Sequence, residues 1–87
     1  MTSNSAAAIQ LTLYGRNECH LCEDMQQALE ELQTSLGFSL KWVDIDTDSV
    51  LYERYNTLVP VLKHGDIEIC HYFLDPEALK SYFRPEA

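Results

Sequence analysis

Two cysteines three positions apart, in the run Cys19-His20-Leu21-Cys22, are the residues of this sequence best suited to covalent chemistry. That chemistry would be thiol–disulfide exchange. A thiolate attacks a disulfide sulfur, and a second thiol about one helical turn away converts the mixed disulfide into an internal one. The spacing serves this purpose if a helix begins at the pair. There the unpaired backbone N–H groups and the positive end of the macrodipole favour a thiolate. Cys19, at the exposed start, is then the nucleophile. Cys22, in the first turn beside the apolar Leu21 and Met25, is the resolving thiol. Neighbouring charges act in both directions. Arg16 favours the thiolate, as does His20 when protonated, whereas Glu18, Glu23 and Asp24 oppose it.

A lone C-x-x-C also fits a pair of metal ligands or two inert cysteines. Structural zinc takes four ligands, and His20, His64, Cys70 and His71 are the residues available to complete such a set. There is no second C-x-x-C and no spaced histidine pair, so the redox reading leads and the other two stay open. Cys70 reads as a buried, inert thiol. His64 reads as a loop residue before a turn, and His71 as the end of a strand. Tyr14 and Trp42 read as core residues.

The elements that must position the pair follow from periodicity. Ile9, Leu11 and Leu13 alternate with polar residues, predicting a strand over 9–14. Gly15-Arg16-Asn17-Glu18 breaks it. Leu21, Met25, Ala28, Leu29, Leu32 and Leu36 recur at steps of three and four on one helical face, and Gly37 stands where a helix C-terminus wants glycine. Residues 38–45 predict a second strand, and 48–55 a short helix after the capping oxygens of Asp46-Thr47-Asp48. Val59–Leu62 and Ile67–Cys70 flank Gly65-Asp66 as a hairpin. Asp75 as N-cap, Pro76 at the first helical position and a Leu74–Leu79 staple open a last helix. That helix would bury Leu79, Tyr82 and Phe83 and stop before Pro85. The order β-α-β-α-β-β-α implies an α/β fold, with a four-stranded mixed sheet and helices on both faces. Residues 1–8 read as a flexible tail, and 9–87 as one domain.

Composition narrows the functional classes. The chain has 87 residues, 46% of them hydrophobic, and a net charge of -8. Such a surface repels phosphate backbones, which argues against nucleic acid and anionic membranes as partners. No apolar run is long enough to span a bilayer. Residues 1–8 lack the pattern of a secretory signal, so the expected location is cytoplasmic; the expected state is a monomer. Three cysteines do not make a disulfide scaffold.

The strand Leu11-Thr12-Leu13-Tyr14, the Cys19-x-x-Cys22 pair opening a helix, Val43-Asp44-Ile45-Asp46, and Tyr55 followed by Val59-Pro60-Val61-Leu62 together resemble the glutaredoxin branch of the thioredoxin fold. The resemblance spans roughly 9–84. It implies a thioredoxin-like fold and a thiol-disulfide oxidoreductase acting on disulfide-containing proteins or small thiols, with glutathione or a reductase as possible co-substrate or recycling partner and no bound cofactor or metal. It further implies a cis Val59–Pro60 bond, with the Val59 backbone pairing with a bound thiol substrate. Arg16 stands where glutaredoxins often carry a lysine that touches the glutathione carboxylate. The chain departs from the pattern in the motif interior, His20-Leu21. It also departs at His71-Tyr72-Phe73-Leu74-Asp75, which replaces the Gly-Gly that lets backbone N–H groups approach glutathione. A non-catalytic binding module and a metal or iron–sulfur carrier using the same cysteines are the alternatives.

Overall fold

Alternation along Gln10–Gly15 (β1) sends Leu11 and Leu13 into one apolar layer and Tyr14 to the opposite face. The computed structural model describes residues 9–83; the tail expected over 1–8 and the stop at Pro85 lie outside the described residues. After β1 come His20–Leu36 (α1), Ser39–Asp44 (β2), a single 3-10 turn over Ile45–Thr47, and Ser49–Tyr55 (α2). Val61–His64 (β3), Ile67–His71 (β4) and Pro76–Phe83 (α3) complete the chain. The four strands form one mixed sheet in the order β2-β1-β3-β4. β1 runs parallel to β2, with Leu13 opposite Trp42, and antiparallel to β3, with Tyr14 opposite Val61.

One face of the sheet carries the larger core. Leu11, Leu13 and Leu62 meet Met25 and Leu29 of α1 and Leu79 of α3 there. The other face carries Ile45, Tyr55 and Val61, with Tyr14, Leu51 and Leu58 packed against them. Helices therefore cover both faces, as the pattern required. The apolar stripe of α1 is the reason this helix is the longest: Met25, Leu29, Leu32 and Leu36 carry it along the larger core turn after turn. Gly37 ends it in the left-handed region at φ 77°, donating its N–H to the Gln33 carbonyl at 2.8 Å.

Several sequence expectations need adjustment. Strand β2 stops at Asp44, because Ile45 turns into the smaller core and Asp44 caps the 3-10 turn by accepting the Asp46 N–H at 2.9 Å. The hairpin is not regular. Its register slips between Leu62 and Lys63, a bulge that lets Ile69 and Cys70 both pack against the larger core. His64 belongs to strand β3 and not to a loop; its ring hydrogen-bonds the Tyr82 hydroxyl and meets that ring edge-on. In α3 only Leu79 is fully buried, while Tyr82 and Phe83 are half-buried.

Candidate functional site

The site begins where β1 ends. Glu18 adopts φ 60°, a left-handed conformation unusual for a residue with a side chain, and this reverses the chain into α1. Cys19 follows in an extended conformation as the N-cap of α1. Its Sγ accepts the Cys22 N–H at 3.2 Å, so a sulfur occupies the position that Ser, Thr or Asp usually fills. Cys19 and Cys22 are joined as a disulfide, with Cα atoms 5.2 Å apart.

The two sulfurs have different surroundings. Cys19 is half-buried, whereas Cys22 has 0% exposure. What covers Cys22 is legible at Gly15. A Cβ there would lie 2.5 Å from Trp42 Cη2 and 3.1 Å from Cys22 Sγ. The indole and the buried sulfur thus crowd the same point, and only glycine leaves room for both. Trp42 is more than the core residue its composition suggested, since it forms part of the wall around the pair. Nothing local in the sequence signals this. It depends on the pairing of Leu13 with Trp42 across β1 and β2.

Arg16, expected beside the thiolate, follows β1 directly. Its Nε lies 3.2 Å from Asp46 Oδ1, and its guanidinium stands over the Tyr52 ring at 5.3 Å. Glu18, Glu23 and Asp24 are exposed around the helix start and form no ion pair among the described residues. Pro60 is buried and the Val59–Pro60 bond is cis. Because Tyr14 pairs with Val61, Pro60 lies beside the end of β1 from which the Cys19 turn departs. Its carbonyl accepts the Tyr72 N–H at 2.9 Å, which holds the β4–α3 loop against this end of the sheet.

That loop is the part of the site that sequence reasoning treated only as a missing Gly-Gly. Tyr72 adopts φ 67° and donates its hydroxyl to the Thr57 carbonyl at 2.7 Å. Tyr72, Phe73 and Leu74 line a groove of about 230 Å³ with Leu21, Asp24 and Met25, so the interior of the C-x-x-C motif forms one of its walls. Phe73 is 67% exposed.

Cys70 is free and half-buried on β4. Burial raises its pKa, opposed by a hydrogen bond with the Asp75 backbone and reinforced by the charges of Asp75 and Glu68. His71 pairs with Glu68 at 2.6 Å. Among the described residues, no group of three or more His, Cys, Asp or Glu side chains is arranged to hold a metal ion.

The profile of the Glutaredoxin-like domain (DUF836) matches residues 10–84. The chain belongs to this glutaredoxin-like family. A protein from Nitrosomonas europaea, solved in solution by NMR, is 44% identical over 84% of this chain and 88% of its own, with a TM-score of 0.75. One from X. campestris is 32% identical over 86% of this chain and 99% of its own, with a TM-score of 0.63. The glutaredoxin-like protein NrdH-redoxin from Escherichia coli, described as having a thioredoxin-like activity profile, is 22% identical over 90% of this chain and 99% of its own; its TM-score of 0.58 speaks to the fold alone. No curated protein is a significant match. A glutaredoxin-like fold with its Cys19-x-x-Cys22 pair within disulfide reach is consistent with redox activity and with thiol or disulfide partners in general. No helix among the described residues is long and apolar enough to cross a membrane.

Proposed function

We propose that this glutaredoxin-like protein is a dithiol oxidoreductase that exchanges its Cys19–Cys22 pair with disulfides of proteins or small molecules. The observation that carries the reading is the asymmetry of the pair. One sulfur is partly accessible at a helix N-cap, and its bonded neighbour is fully enclosed.

In the reduced protein the Cys19 thiolate is the attacking group. The Cys22 N–H that meets Sγ and the other unpaired amides of the first turn lower the cost of its charge. It attacks one sulfur of a substrate disulfide. A Cys19–substrate bond forms, the substrate S–S bond breaks, and one substrate thiolate leaves to take a proton from water. Cys22 then loses its proton and attacks Cys19 Sγ, releasing the second substrate thiolate. Two electrons have passed to the substrate, and the protein carries the Cys19–Cys22 disulfide. Return to the dithiol requires an external thiol reductant, either glutathione or a dithiol reductase. In a reducing compartment such as the cytoplasm that supply is continuous. Val59 and Pro60, which lead into β3 next to the end of β1, are the backbone against which the substrate's own chain would align, and Arg16 is the nearest cation in sequence. The chemistry calls for no cofactor.

The test is the fate of single-cysteine variants. Cys19→Ser should abolish turnover. Cys22→Ser should accumulate a mixed disulfide at Cys19, visible as an added mass that dithiothreitol removes. Trapping at Cys22 in the Cys19→Ser variant, or no reversible internal disulfide in the wild type, would reject the mechanism.

A further inference from the structure

The groove beside the disulfide bears on what the protein selects, and this inference rests on the exchange chemistry proposed above. A substrate disulfide that reaches Cys19 must lay its flanking atoms over the helix start and its surroundings. On one side of that start is the groove between α1 and the β4–α3 loop. Its lining of Leu21, Met25, Tyr72, Phe73 and Leu74 is apolar or aromatic, and its one charged residue is Asp24. Its volume, about 230 Å³, is below the roughly 300 Å³ where pockets for whole small molecules begin, so it suits a single side chain. The opposite flank carries Glu18 and Glu23 together with Arg16, whose guanidinium is engaged by Asp46 and the Tyr52 ring.

Charge gives the second half of the argument. Among the described residues Glu18, Glu23 and Asp24 have no ion-pair partner, and the cation closest in sequence to the pair, Arg16, is already held by Asp46. The whole chain carries a net charge of -8. An anionic substrate such as oxidised glutathione therefore meets repulsion at close range and at long range. It also meets the Tyr72 and Phe73 side chains where a backbone approach would be needed.

We propose that the site selects disulfides of protein substrates in which the reacting cysteine is flanked by an apolar side chain, which enters the groove, and by a cationic one, which faces Asp24. Glutathione disulfide is correspondingly disfavoured. Apolar contact supplies the docking area, and the carboxylates around the helix start steer the cation.

The test uses the reduced full-length protein and four probes. These are a symmetric peptide disulfide with Leu and Lys flanking the cysteine, the same peptide with Glu for Lys, the same with Gly for Leu, and oxidised glutathione. Second-order rate constants are read from the mass of acid-quenched protein. The Leu/Lys peptide should react about tenfold faster than the Leu/Glu peptide at low salt, a gap of the size steering charges produce. That gap should close near 1 M salt, where screening acts within about 3 Å. Phe73→Ser should lower the ratio of the Leu to the Gly peptide; Phe73 is exposed, so the fold tolerates the change. Equal rates for Lys and Glu peptides, or glutathione disulfide reacting fastest, would overturn the selectivity and leave the exchange chemistry standing. Failure of every probe to oxidise the Cys19–Cys22 pair would overturn both.

Discussion

Gly15→Ala is the sharpest perturbation that the packing around the cysteine pair allows. The added Cβ would lie 2.5 Å from Trp42 Cη2, 2.8 Å from Cζ3 and 3.1 Å from Cys22 Sγ. The first two distances are far inside van der Waals contact, and a half-buried indole packed against the larger core cannot swing away without opening that core. Inserting a methyl into such a place costs about 1–3 kcal/mol. The lower chain entropy of unfolded alanine returns roughly 0.4–1 kcal/mol. Central values of the two leave a net loss of about 1–2 kcal/mol. For a domain of this size each kcal/mol moves the midpoint by about 4–8 °C, so Tm should fall by roughly 4–16 °C. Thermal unfolding of the oxidised protein, with the disulfide intact in every variant, is the assay. The cause is isolated by a double-mutant cycle with Trp42→Leu, which is itself destabilising through the cavity it leaves. In that background Gly15→Ala should be nearly neutral, giving a coupling of about 1–2 kcal/mol. A Gly15→Ala protein as stable as the wild type, or two changes that add within about 0.5 kcal/mol, would refute the packing argument.

Three further outcomes follow from other contacts. Asp48 caps α2 by accepting the N–H groups of Val50 at 2.8 Å and Leu51 at 3.3 Å. Asp48→Ala should cost about 1 kcal/mol in urea unfolding, and Asp48→Asn much less. Cys70 is held as a thiol by burial, so in the oxidised protein its alkylation by iodoacetamide should rise at higher pH than in the same protein unfolded in urea. The same shift has a stability consequence of definite sign. The unfolded thiol ionises first, so the folded protein loses stability as pH rises from the unfolded towards the folded value, and Cys70→Ala should remove that part of the alkaline loss.

What could be read from the sequence was local. The Gly37 stop and the Asp75-Pro76 start each depend on a few adjacent residues, and both occur as expected: Gly37 lies at φ 77°, and Asp75 accepts the Ala78 N–H at 3.1 Å. The placement of Cys19 at the head of α1 is local in the same way. Features set by pairing between distant segments were not legible. The bulge that brings Ile69 and Cys70 to one core arises from strand register, which alternation in a short strand does not fix. The capture of Arg16 by Asp46 joins residues 30 positions apart. The enclosure of Cys22 beside Trp42 needs the β1–β2 register, and the groove at Phe73 needs the Tyr72 N–H on the Pro60 carbonyl.

On the proposed chemistry, the unequal access to the two sulfurs constrains both directions of exchange. An incoming thiolate can approach only Cys19, because Cys22 is fully enclosed. Reduction of a substrate and oxidation by the reverse path must then share one intermediate, the mixed disulfide at Cys19, with Cys22 acting solely as an internal attacking or leaving group. The helix cap and the Trp42 wall play complementary parts in this. The cap places backbone N–H donors at the sulfur that meets the outside, while enclosure keeps the other sulfur away from incoming groups. A glycine at position 15 is what permits the wall to stand that close. The order of events thus rests on the helix cap at Cys19 together with the packing that a missing side chain at position 15 allows around Cys22.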